Sequence, residues 1–75
     1  MVRYANLNGD SGVSSYQIGT DYIWVGFIKT TDVYEYTYES AGEANVEMMK
    51  ILAINGRGLC SFIQRNVRKS YSRIL

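Results

Sequence analysis

The stretch from Tyr22 to Glu39 decides the fold, and it reads Tyr-Ile-Trp-Val-Gly-Phe-Ile-Lys-Thr-Thr-Asp-Val-Tyr-Glu-Tyr-Thr-Tyr-Glu. Its first part, residues 22–29, is rich in aromatic and β-branched residues and is apolar on both alternating faces, which is typical of a central strand. Residues 33–39 place tyrosine at every second position, which predicts another strand. Because only Thr30 to Asp32 separate the two, we expect them to pair antiparallel.

Before this pair of strands, residues 13–19 predict another strand, with a turn at residues 19–21. Residues 43–54 predict a helix that ends at the Asn55-Gly56 cap, and residues 59–73 predict a second helix. The first helix carries an apolar stripe made of Val46, Met49, Leu52 and Ala53. The second carries a stripe at four-residue spacing, made of Leu59, Ile63, Val67 and Tyr71.

The order of these elements predicts an α+β fold of the type βββαα. A three-stranded antiparallel β-meander is followed by two α-helices that pack on one face of the sheet. We expect residues 1–12 to form a mobile N-terminal segment, because turn formers dominate its end, and residues 13–75 to form a single domain.

The composition excludes most catalytic chemistry. The chain of 75 residues contains no His, no Pro and one Cys. It therefore lacks an imidazole base for a Ser or Cys nucleophile and lacks the ligands of a structural zinc site. Gly9-Asp10-Ser11-Gly12 matches the nucleophile motif of chymotrypsin-like proteases, but without a His it predicts only a turn, and Cys60 predicts a structural thiol. We expect no catalytic residue, metal or cofactor, and therefore no enzyme.

The same composition bears on location. The longest apolar run, Tyr22 to Ile28, is far shorter than the ~20 residues of a membrane helix. The first residues lack the apolar stretch of a signal peptide. With one Cys, this pattern favours a cytoplasmic protein.

The net charge of +1 conceals a division between an acidic middle and a basic end. Residues 31–47 carry acidic side chains and no basic one, and residues 57–75 carry basic side chains and no acidic one. Such segregation favours an anionic partner or a self-complementary assembly. The candidate phosphate-binding residues are Arg57, Arg65, Arg68, Lys69 and Arg73. For them the alternative is a solvated helix face, and for Gly56-Arg57-Gly58 the choice lies between a phosphate-binding loop and a plain helix-to-helix turn.

Seven tyrosines in so short a chain suggest a binding surface. The candidate stacking residues for nucleic-acid bases are Trp24, Tyr34, Tyr36 and Tyr38. The alternative is that this face of the sheet forms the core beneath the helices, and the two interpretations are compatible only if the strand register turns Trp24 and the tyrosines the same way.

Several short motifs resemble the KTSC family, which is named for the C-terminal region of some lysyl-tRNA synthetases. These are Val13-Ser14-Ser15, the pair Tyr34 and Tyr36, and the closing run with Gly58, Phe62, Ile63 and Tyr71. The resemblance spans about residues 13–73, and the chain departs from it at Ser40-Ala41-Gly42, where the family often has Val-Pro. The resemblance implies a small RNA-binding domain without catalytic residues.

Three functions are therefore expected from different classes. The first is a non-catalytic binding module for phosphate-bearing ligands, most simply RNA. The second is a phage anti-defence protein that sequesters a nucleotide signal or blocks a host protein, and the third is a self-assembling interaction module. The expected partners are RNA or a nucleotide-type anion, a host protein or a second copy of the chain, and no membrane.

Overall fold

Five antiparallel strands, hydrogen-bonded in chain order, form the sheet of this α+β protein. The computed structural model describes residues 1–9 and 12–75. The strands are β1 (Val2–Arg3), β2 (Val13–Ile18), β3 (Tyr22–Phe27), β4 (Val33–Thr37) and β5 (Arg73–Ile74). The α+β class is confirmed, but the predicted three-stranded meander is too small, since β1 extends one edge of the sheet and β5 the other.

The first residues of the chain pack as part of this structure. β1 pairs with β2, and Tyr4, which follows it, is only 3 % exposed. The Tyr4 hydroxyl accepts a hydrogen bond from the backbone N–H of Leu59 at 3.3 Å. Residues 2–4 therefore belong to the sheet and the core, which the expectation of a mobile segment over residues 1–12 did not include. Asp10 and Ser11 of the predicted Gly9–Gly12 turn lie outside the described residues.

β4 ends two residues earlier than predicted, because a capping box starts a short helix, α1 (Tyr38–Ala41). The Thr37 side chain accepts from the Ser40 N–H, and the Ser40 side chain accepts from the Thr37 N–H, both at 3.0 Å. Tyr38 therefore leaves the strand alternation that relates it to Tyr34 and Tyr36 in the sequence.

The helix α2 (Glu43–Asn55) agrees with the prediction. Val46, Met49 and Ala53 of its expected stripe are buried. Gly56 ends the helix in the left-handed conformation, with φ 75° and ψ 21°, and its N–H bonds back to carbonyls of the last turn.

The second predicted helix is shorter and less regular than expected. It consists of α3 (Leu59–Phe62), which continues as a π-helix over Ile63–Val67. The chain then turns and forms β5 against β4. The Ser72 N–H donates to the Glu35 carbonyl and the Leu75 N–H to the Val33 carbonyl, both at 2.7 Å. The open edge of β4 thus pairs with Ser72 and Arg73, which the prediction had assigned to a helix.

The strand register separates an inner face of the sheet, which packs on the helices, from an outer face. Ile23 pairs with Tyr36 and Val25 with Tyr34, and directly paired residues point to the same side. The inner face meets α2, α3 and the π-helix in the core, whose buried side chains from those helices include Val46, Met49, Leu59, Ile63 and Val67. In the described part of the chain, no helix is both long and apolar enough to cross a bilayer.

Candidate ligand-binding cleft

The candidate site is a cleft of about 230 Å³ between the inner face of the sheet and the last helical segment. The end of β3, the following turn and β4 form one wall, and the π-helix with the residue that follows it forms the other. We call it the aromatic cleft. Its lining residues are Phe27, Thr30, Tyr34, Tyr36, Ile63, Gln64 and Arg68.

Edge-to-face aromatic contacts build the sheet side of the cleft. The Tyr34 ring meets the Phe27 ring at a centroid distance of 5.4 Å and the Tyr71 ring at 4.8 Å, in both cases at 89°. Tyr71 also meets Tyr36 edge-on at 6.4 Å. Such contacts fix the ring planes, so the cleft has rigid aromatic walls.

Tyr36 is the most deeply buried polar side chain of the cleft, with 1 % of its surface exposed. Within the described residues its hydroxyl has no hydrogen-bond partner, and no fully enclosed side-chain oxygen or nitrogen there lacks one. The Tyr36 hydroxyl therefore opens into the cleft that this residue lines. Burial, together with the neighbouring Tyr34 and Tyr71, raises the pKa of Tyr36 to about 12. At neutral pH it is thus a protonated hydroxyl that can both donate and accept.

Arg68 and Gln64 contribute the polar groups of the opposite wall. Both are exposed, and they are four residues apart across the π-helix, so they project from one side of it. Arg65 and Lys69, each next to one of these residues, are exposed as well. Among the residues that the structure describes, Arg65, Arg68 and Lys69 form no ion pair. Arg68 is therefore an available cation at the cleft, and the exposed Arg65 and Lys69 lie on the same short segment.

Arg57, another predicted phosphate contact, lies apart from this group. It is exposed in the turn between α2 and α3 and borders a separate hollow of about 140 Å³ that Tyr4 and Cys60 also line. Gly56 and Gly58 adopt positive φ angles of 75° and 82°, as a tight helix-to-helix turn requires. The geometry of this loop agrees with the plain turn that was weighed against a phosphate-binding loop.

Arg73 does not belong to a helical basic stripe. It lies in β5 opposite Glu35, and its Nε donates to the Glu35 carboxylate at 3.1 Å. The same carboxylate accepts from the Ser72 hydroxyl at 2.7 Å and from the Trp24 indole N–H at 2.9 Å. Hydrogen bonds from Ser72, then Trp24, and then from Arg73, lower the pKa of Glu35. Arg73 is therefore paired with Glu35 and lies in a strand, and its role as a phosphate contact stays a prediction.

Trp24 and Tyr38 do not join the tyrosines of the cleft. Trp24 pairs with Glu35 and so lies on the outer face, where its ring meets that of Tyr22 at 5.3 Å and 31°. Tyr38 lies in α1, where its hydroxyl donates to Glu47 and its ring lies 5.4 Å from the Lys50 ammonium. The hydrogen bond to Glu47 raises the pKa of Tyr38. The four candidate stacking residues therefore do not share one surface, since only Tyr34 and Tyr36 line the cleft.

The structure adds four residues to the predicted set: Phe27, Thr30, Ile63 and Gln64. Phe27 shares a face with Ile23 and Val25 in the alternation of β3, so its place beside the tyrosines is implicit in the sequence once the register is known. Gln64 precedes Arg68 by four residues, a helical spacing that links them to one side of the segment. Thr30 carries no comparable signal.

Comparison of the chain with known protein families, with characterised proteins and with solved structures gave no match. The resemblance to the KTSC family thus stays a prediction from short motifs.

Proposed function

We propose that this protein is a non-catalytic binding module for phosphate-bearing ligands, most simply single-stranded RNA, and that it holds one base in the aromatic cleft. The observation that carries the proposal is the Tyr36 hydroxyl, which has no hydrogen-bond partner among the described residues and opens into the cleft between aromatic rings. A ligand group that bonds to this hydroxyl gains a hydrogen bond within a largely apolar cleft.

The size of the cleft suits a single ring. Its volume of about 230 Å³ is below the ~300–1,000 Å³ of pockets that enclose drug-sized ligands. A base inserted there would lie between Tyr34 and the π-helix, with its polar edge toward the Tyr36 hydroxyl and the Gln64 amide. The sugar and phosphates would remain outside, which is where single-stranded RNA modules leave the backbone.

Arg68 and the exposed cations of the same short segment supply the phosphate contacts. Arg65, Arg68 and Lys69 are exposed and unpaired within the described residues, so no internal ion pair must break when phosphate binds. Three phosphate contacts to a single strand predict that log K falls with log salt at a slope of about −2.

Fluorescence anisotropy with short labelled single-stranded RNA tests this proposal. We expect charge reversal of both Arg65 and Lys69 to abolish binding, and Arg68→Glu to weaken it at least tenfold. Arg3→Glu is the matched control, because Arg3 is an exposed cation on the far edge strand β1 and does not line the cleft. Binding that does not depend on salt, or that the control weakens equally, would refute the proposal.

A free nucleotide is the second candidate ligand, because a cleft for one ring does not require a continuous strand. Sequestration of a nucleotide signal predicts a rise in Tm that follows RT ln(1 + [L]/Kd) with mononucleotide alone. Thermal unfolding with a mononucleotide and with an oligonucleotide at equal phosphate concentration separates the two. A larger shift with the mononucleotide favours the nucleotide-sequestering function over RNA binding.

A further inference from the structure

The solvent-facing side of α2 carries three large apolar side chains, with the partly exposed Glu47 and the exposed Asn55 between them, although a helix that packs against a sheet normally exposes mainly polar residues there. Met48, Ile51 and Ile54 are 43 %, 54 % and 66 % exposed. At 100° per residue, Ile51 points almost directly away from the buried Val46, Met49 and Ala53, and the other two flank it one turn on either side. Among the large apolar residues of this helix, Ile54 is the most exposed.

This stripe is separate from the aromatic cleft, since none of its residues lines that cleft. Three large apolar side chains are exposed on one helix face, and exposed apolar groups of this kind often belong to interaction sites on soluble proteins. Its function is therefore independent of the proposed ligand.

We propose that a second copy of this chain covers the stripe, with the two α2 helices packed antiparallel about a two-fold axis at Ile51. In that arrangement Ile51 meets its own copy, and Met48 meets the partner's Ile54. The same patch on each protomer serves both sides, as a closed two-fold interface requires.

The charges at the two ends of the stripe favour this orientation. Glu43 begins α2, and Arg57 follows its end; both are exposed, and within the described residues neither forms an ion pair. The antiparallel arrangement places each Glu43 at the same end of the interface as the turn that carries the partner's Arg57. A parallel arrangement would instead place the two acidic ends together, which costs affinity.

The small patch implies a weak dimer. Interfaces below about 1,200 Å² in total belong to transient complexes, so we expect a dissociation constant of roughly 10–100 µM. Rim pairs such as Glu43 with Arg57 contribute mainly orientation, and the apolar centre contributes most of the affinity.

Sedimentation equilibrium over about 5–500 µM tests the dimer at the concentrations where a transient interface is populated. We expect the wild type to dimerise and Ile51→Lys to weaken dimerisation at least tenfold. Ile28→Lys is the matched control, because Ile28 is 60 % exposed but lies in the turn after β3. Circular dichroism on each variant establishes that it is folded. A wild type that stays monomeric throughout, or an Ile51→Lys variant that dimerises normally, overturns the proposal.

Charge swaps test the orientation. Glu43→Lys and Arg57→Glu should each weaken the dimer several-fold, and the double variant should restore it, because the antiparallel pairing re-forms with the signs exchanged. If the double variant is weaker than either single variant, the antiparallel arrangement is wrong. If the wild type stays monomeric but the stripe binds neutral lipid vesicles, the occupant is a lipid surface and the proposed second copy is excluded.

Discussion

Two buried tyrosines differ in one hydrogen bond, and this difference predicts opposite effects of the same substitution. Tyr4 is 3 % exposed and Tyr36 is 1 % exposed. The Tyr4 hydroxyl accepts from the Leu59 N–H, whereas the Tyr36 hydroxyl has no partner within the described residues. Replacing each by Phe removes a single oxygen and leaves the ring in place.

The expected magnitudes follow from these contacts. Tyr4→Phe leaves the Leu59 N–H at the start of α3 buried without a partner, which should cost about 1 kcal/mol, since the 3.3 Å bond is long. For a chain of this length that corresponds to a fall in Tm of ~4–8 °C. Tyr36→Phe removes a hydroxyl that bonds to no described residue and is open to the cleft. The variant should therefore match the wild type within ~0.5 kcal/mol or exceed its stability.

Urea denaturation followed by the fluorescence of Trp24 and by circular dichroism measures both effects, provided that the m-values agree. The same samples then measure RNA binding, which Tyr36→Phe should weaken roughly five- to tenfold and Tyr4→Phe should leave unchanged. If Tyr36→Phe destabilises the protein as much as Tyr4→Phe does, its hydroxyl has a partner in the free protein, and the argument for the cleft fails.

Three further predictions concern the outer face, the backbone and the basic residues. Glu35 has a lowered pKa, so it stabilises the fold above the usual value of 4.5 and loses this contribution as pH falls through the folded pKa. The urea midpoint of Glu35→Gln should therefore fall less on acidification than that of the wild type, and equal falls would contradict the network. Gly56→Ala should lower the free energy of unfolding by at least ~2 kcal/mol, because the new Cβ would lie 2.7 Å from a neighbouring side chain and the backbone has φ +75°. Gly9→Ala has a similar φ of +76° but open space around the Cβ, so it should lower that free energy by only about 1 kcal/mol. Thermal unfolding of both variants measures the difference. In anisotropy measurements Arg73→Ala should leave RNA affinity nearly unchanged, whereas Arg68→Ala should reduce it. Equal losses of affinity would show that Arg73 contacts the RNA as Arg68 does.

The alternation of tyrosines predicts that Tyr34 and Tyr36 share a face, but it does not predict which face the helices cover. β3 is apolar on both sides, so either set of its side chains satisfies a hydrophobic pattern. The pairing of Trp24 with Glu35 determines which face the helices cover, because the indole N–H then has a carboxylate partner on the outer face. This is a contact between strands that no local pattern encodes.

The end of the last helix is a second feature that local sequence patterns do not predict. The four-residue spacing of Leu59, Ile63, Val67 and Tyr71 correctly identifies three buried residues and one half-buried residue. Only the first three are helical, since Tyr71 reaches the core from the turn before β5. Burial could be predicted from periodicity, but the competition between a helix and the open edge of β4 is non-local. Tyr4 likewise contacts Leu59, which is 55 residues away, and no sequence pattern near either residue predicts this hydrogen bond.

The aromatic cleft depends on both faces of the sheet through the C-terminal strand. On the outer face, the Glu35 carboxylate bonds Ser72 and Arg73 and so fixes β5 against β4. On the inner face, the residue just before them, Tyr71, packs edge-on against Tyr34 and Tyr36. Detaching β5 would therefore remove a ring from the cleft without altering any residue that lines it. It follows that Glu35→Gln should weaken ligand binding as well as acid-dependent stability, and that this loss should be smaller than that of Arg68→Glu, because the direct phosphate contact remains.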